Sequence, residues 1–198
     1  MVAFFFVVVV SLLCIFFGGM LKDYINDRRR ERIIDRFLEE RITRWVKSCG
    51  EGTFRFFPKI WAEVFSDRKH APVVQFYLDE ELDEHTLQLS LRMVLRCTHL
   101  APTQFDFHSV AFQVGDKYYR MPFDVSVISS SGDVPFNYAE VRGDVAMTLV
   151  REMVRDIRRV VRVMVIGADF KRTLILSNRE KEAIRDLYEF YQLSNSNM

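Results

Sequence analysis

The chain has 198 residues, 28 Lys+Arg against 27 Asp+Glu, and 49% hydrophobic residues. A net charge of +1 excludes a nucleic-acid binder held by bulk electrostatics. So much apolar side chain, with only 8 Gly and 5 Pro, excludes a disordered or fibrous chain, and the length suits one hydrophobic core better than two.

Residues 2–21 carry no Asp, Glu, Lys or Arg. A helix of that length covers about 30 Å, the hydrocarbon thickness of a bilayer. Val and Phe dominate the stretch and are poor helix formers in water. Lipid, however, leaves the backbone no partner outside a helix. A cleaved signal peptide is the rival reading. Its apolar run would be about 7–15 residues, and a small-residue cleavage site would follow. The expectation is therefore a retained transmembrane anchor over residues 1–21. Lys22, Arg28, Arg29, Arg30 and Arg32 all lie on its C-terminal side. The positive-inside rule then places the rest of the chain in the cytoplasm, or in the matrix for a mitochondrial inner membrane. These five cations are also placed to meet anionic lipid headgroups, at about 1 kcal/mol each near a charged surface.

Residues 22–49 read as a basic juxtamembrane helix. Ile25, Ile33, Ile34, Phe37, Leu38, Ile42, Trp45 and Val46 recur at helical spacing, with no Gly or Pro before Gly50. This stripe needs cover, from the domain or from a partner. Ile33, Phe37 and Trp45 are its candidate partner contacts.

Residues 50–198 read as one α+β domain, a mostly antiparallel sheet packed with helices. Pro58 opens a short amphipathic helix to Phe65. Residues 73–78 form a strand. Asp79, Glu80, Glu81, Asp83 and Glu84 read as a solvated acidic loop. From Leu87 to Cys97 apolar and polar residues alternate, which predicts a half-buried strand, with a helix as the alternative. Gly115-Asp116 suits a type II′ turn and pairs Phe112 with Tyr119, Val110 with Met121 and His108 with Phe123. The second strand of that hairpin is expected to continue through Asp124 to Ile128. Pro122 within it marks an edge or a bulge. Residues 129–133 read as a loop.

Asp144 is the expected N-cap of a helix to about Arg158, with Ala146, Leu149, Val150, Met153 and Ile157 on its apolar face. Arg151, Arg155, Arg158 and Arg162 form a second stripe, either a solvated face or a dock for an acidic partner. Residues 160–166 read as a buried strand or the end of that helix, and residues 170–176 as a further strand. Ser177 and Glu180 fit a capping box that opens a last helix to about Leu193.

Chemical motifs are sparse. Cys97, His99 and His108 are close in sequence, but no pair has zinc-ligand spacing, and phosphate-loop, dinucleotide and nucleophile-elbow patterns are missing. Cys49 and Cys97 read as free thiols. No catalytic residue, cofactor or metal is assigned. The expected function is a single-pass structural or interaction subunit that tethers the α+β domain to a membrane assembly, without catalysis of its own. A membrane-tethered ligand sensor is the alternative, and an enzyme using Cys97 or the histidines is third. Expected partners are other membrane-protein subunits and anionic lipid headgroups, not nucleic acid. A small-molecule ligand is left open.

Overall fold

The structure is a computed structural model that describes residues 2–46, 54–61, 73–82, 89–100, 107–129, 136–168 and 171–195. The side chains of residues 2–17 lie outside that description. Among the described residues a long helix, α1 (Val2–Glu40), leads into ten strands and two further helices of more than two residues, an α+β architecture. Every strand pairing among the described residues is antiparallel.

Four strands in chain order form a meander: β1 (Ile42–Val46), β2 (Phe54–Pro58), β3 (Val73–Leu82) and β4 (Leu89–Leu100). The chain then leaves to make the hairpin β5 (Phe107–Val114) and β6 (Lys117–Pro122), and returns as β7 (Val125–Ser129) and β8 (Phe136–Arg142). After α2 (Asp144–Arg155) come β9 (Val161–Gly167), β10 (Lys171–Ile175) and α3 (Asn178–Asn195). One sheet has the order β1-β2-β3-β4-β8-β7, the other β10-β9-β5-β6. Phe56, Phe76, Leu78, Met93, Leu95 and Cys97 of the larger sheet share one core with Val110, Phe112, Val163 and Val165 of the smaller, closed by Leu149 and Val150 of α2 and by Ile184, Leu187 and Phe190 of α3. Phe76 and Phe112 meet across the layers, with ring centroids 6.0 Å apart.

The alternation from Leu87 predicted β4 as a strand, and its odd-numbered residues from Met93 to Cys97 are buried in that core. The hairpin register is also the expected one, with Val110 opposite Met121 and Phe112 opposite Tyr119. Gly115 has φ +60°, the left-handed value that a primed turn requires of its first residue. The hairpin stops at Pro122, on an edge strand, where a residue without an N–H ends the ladder. Residues 125–129 do not continue β6 as expected; they cross to the larger sheet and pair with β8.

Four further expectations are corrected. The juxtamembrane helix ends at Glu40, and Ile42–Val46 is a strand. Ile42, Thr43 and Trp45 suit a pleated surface, and β2 offers one to pair with. Asp79, Glu80 and Glu81 lie in β3 rather than in a loop, and Asp79 is buried against Arg55. Asp144 is the first residue inside α2, after an N-cap at Gly143 that has no side-chain cap; its charge at the helix N-terminus opposes the dipole. Pro58, expected to open a helix, is instead the last residue of β2; Ile60 and Trp61 are helical, and the rest of that expected helix lies outside the described residues, as do His70, Asp83, Glu84, His85 and Cys49.

Candidate functional site

Two regions carry the polar and aromatic side chains from which a function is argued. The first is α1. From Gly18 to Arg29 every side chain is exposed, Met20, Leu21, Tyr24 and Ile25 among them. Lys22, Arg28, Arg29 and Arg32 are exposed too, and Arg28 donates to the Tyr24 hydroxyl at 3.2 Å. Contact with the domain begins at Arg30, whose guanidinium donates to the Leu193 carbonyl at the end of α3. Beyond it Ile34, Phe37 and Leu38 pack on the core, Phe37 against Phe190 at 6.5 Å. Arg41 closes the contact with an ion pair to Asp186 at 2.7 Å.

Of the three partner candidates on the basic segment, Phe37 is therefore covered by the domain itself. Ile33 stays on the exposed side, and Trp45 stands on the sheet with more than half its surface open. Among the residues whose side chains are described, which in α1 begin at Gly18, no helix is long and apolar enough to cross a membrane.

The second region is the outer face of the larger sheet. Alternation turns Trp45, Phe57, Gln75, Tyr77, Asp79, Arg96, Glu140 and Arg142 away from the core, onto one face. The register sets Arg96 directly between Gln75 and Glu140. Arg96 donates to Glu140 Oε1 at 2.7 Å and to the Tyr77 hydroxyl at 3.0 Å. Tyr77 donates to the same carboxylate at 2.7 Å, and Arg142 donates to its other oxygen at 2.6 Å. Burial alone would raise the Glu140 carboxyl, but the Arg96 charge and the hydrogen bonds from Tyr77, Arg142 and Arg96 outweigh it and hold the group below the usual carboxylate range. Burial pushes the Tyr77 phenol up, against the opposing Arg96 charge.

Aromatic rings extend this network. Phe57 stacks on Tyr77 at 4.8 Å and meets Trp45 at 5.1 Å, while Arg96 lies over the Tyr77 and Tyr138 rings at 5.0 and 4.5 Å. The register of β2 and β3, carried on, places Pro58 opposite Phe76. Proline has no N–H to give, and the Trp61 indole donates to the Phe76 carbonyl at 3.0 Å instead. Trp45, Phe57, Trp61, Lys59, Gln75 and Arg96 line a cavity of about 250 Å³ beside that substitution.

The remaining candidates form no site. Arg151, Arg155 and Arg158 are exposed on or just past α2, while Arg162 lies on β9, where it donates to Gln113 Oε1 at 3.3 Å. None of the four guanidinium groups has a carboxylate partner among the described residues; the Arg158 backbone N–H donates to Asp156 Oδ1 at 3.2 Å. Cys97 is fully buried and burial pushes its thiol up, away from the thiolate that nucleophilic chemistry needs. His108 is exposed where the β5–β9 register shifts, and no metal-holding group of side chains occurs among the described residues. Sequence reasoning missed Lys59, Gln75 and Arg96. Only the alternation of β3 and β4 pointed to the outward position of the last two.

Comparison with protein-family models, curated proteins and solved structures finds no match to this chain.

Proposed function

We propose that the chain is a single-pass, membrane-anchored interaction subunit that holds its α+β domain beside a membrane assembly and performs no catalysis of its own. One observation carries this reading. The uncharged stretch of residues 2–21 belongs to the same unbroken helix, α1, whose last turns are clamped to the domain by Arg30, Phe37 and Arg41. An apolar helix joined this way is a strut rather than a loose tether. From Leu21 to Arg30 the helix rises about 14 Å, enough to clear a headgroup layer. Lys22, Arg28 and Arg29 would lie among anionic headgroups, and Tyr24 at the interface where amphipathic rings collect. The basic flank orients the domain to the cytoplasmic or matrix side.

Alkaline carbonate treatment of vesicles holding the full chain tests the anchor. Retention in the pellet, with the domain open to protease on the basic side, is expected. Release of the intact chain would remove the proposal's basis. Mild-detergent extraction tests the subunit role: stoichiometric membrane partners are expected, and a lone monodisperse monomer counts against it. The ligand-sensor reading has one specific observation in its favour, the cavity between Trp45 and Trp61.

A further inference from the structure

The cavity on the outer sheet face has a floor, walls and a rim of different chemistry. Gln75 forms its floor, and the residue is 4% exposed. No hydrogen bond holds its side-chain amide among the described residues. Gln75 is not among the buried polar groups that lack a partner, so its amide reaches the solvent of the cavity and is free to be met by a ligand there. The walls are Trp45, Phe57 and Trp61. Trp45 leaves 58% of its surface open beside its contact with Phe57.

The charged lining residues are Lys59 and Arg96, and no acidic side chain is among the described ones. Glu140 already neutralises Arg96 from behind. The Lys59 ammonium donates to the Glu39 backbone carbonyl and has no carboxylate partner among the described residues. A volume of about 250 Å³ exceeds the roughly 150 Å³ that accepts benzene, leaving room for one ring and a polar substituent.

We infer that this cavity binds a small aromatic carboxylate, its ring against Trp45 and Phe57, its oxygens taking hydrogen bonds from the Gln75 amide and the Lys59 ammonium. The inference gives the ligand-sensor reading a chemical class and is independent of the membrane anchor. It explains together the amide open to the cavity, the exposed indole and the positive rim. Flat π-faces stack in offset geometry at 4.5–7 Å, the spacing already seen between Trp45 and Phe57.

Both tryptophans of the chain line the cavity, so intrinsic fluorescence reports on it directly. The full chain in mild detergent is titrated with benzoate, benzamide and hexanoate. A saturable emission change with benzoate is expected, at least about tenfold tighter than with either other compound. Gln75→Leu should weaken benzoate binding about tenfold without lowering the melting temperature, since no hydrogen bond among the described residues is lost with the amide. Lys59→Met should bring benzoate and benzamide to equal affinity. No saturable change with any compound overturns both the inference and the ligand-sensor reading. Equal affinity of the native chain for benzamide or hexanoate overturns the aromatic-carboxylate assignment alone. Undiminished benzoate binding by Gln75→Leu or Lys59→Met overturns the role given to that residue, and with it the inference.

Discussion

The two faces of the larger sheet are both buried, by opposite means. The inner face hides Phe76, Leu78, Met93 and Leu95 against two helices and the second sheet. The outer face hides Tyr77, Asp79 and Glu140, each under 3% exposed, beneath arginines and aromatic rings. Dispersion and water exclusion hold the first, and they tolerate any apolar side chain of about the right volume. Charge holds the second, and it tolerates no missing member: a buried carboxylate is stable only while its guanidinium partners remain. The same strands β3 and β4 thus carry a face that is forgiving in chemistry and one that is not.

Truncation of the inner face should have the largest effect. Phe76→Ala is expected to cost about 3–5 kcal/mol in urea unfolding of the full chain, because its ring is fully buried and bridges to Phe112. A cost under about 1 kcal/mol would show that the two sheets do not share a core. On the outer face, Glu140→Gln should cost about 3 kcal/mol by leaving Arg96 and Arg142 without their anion. The pH dependence separates the two mechanisms. Glu140 has a folded pKa lowered below its ordinary 4.5, so its contribution is fully present above that value and is lost as pH falls through the folded one. Glu140→Gln should therefore flatten the acid limb of the stability profile below about pH 4.5, whereas Phe76→Ala should lower the whole profile and leave its shape unchanged.

The same contrast governs what was legible in the sequence. The inner face of β4 was readable because hydrophobic alternation is a local signal. The β5–β6 register was readable because one turn fixes it. The outer face was not. Asp79 among four other acids looks like solvated loop, and its burial depends on Arg55, which lies 24 residues earlier. In β8, Tyr138, Glu140 and Arg142 alternate with Ala139 and Val141, but the polar members look solvent-facing until Arg96 and Tyr77 are brought over them. The candidate site suffers likewise. Trp45 was noticed, but as a helix residue; Gln75 and Lys59 join it only through strand pairing and a turn that no short window contains. The α3 capping box is the opposite case, complete within four residues. The Glu180 N–H donates to Ser177 Oγ at 3.2 Å, and the Ser177 N–H donates to Glu180 Oε2 at 2.7 Å. Ser177→Ala should cost about 1 kcal/mol in the same unfolding assay. No change would mean that tertiary packing alone fixes the start of α3.

The smallest effect is expected where charge meets solvent. Arg41 and Asp186 pair at 2.7 Å across α1 and α3, with side chains 49% and 18% exposed. Water and salt screen such a pair, and ordering two side chains offsets much of what remains. Asp186→Asn should lower stability by about 0.5 kcal/mol at low salt, and by nothing measurable in 1 M NaCl, where the screening length falls to about 3 Å. The Phe37 ring, packed on Phe190, keeps α1 docked in either case. The difference from Glu140 follows from burial and from the number of partners, since Glu140 is enclosed by two arginines and a tyrosine and Asp186 meets one half-exposed arginine. A loss at Asp186 as large as that at Glu140, and equally insensitive to salt, would mean that the α1–α3 junction is desolvated like the outer sheet face.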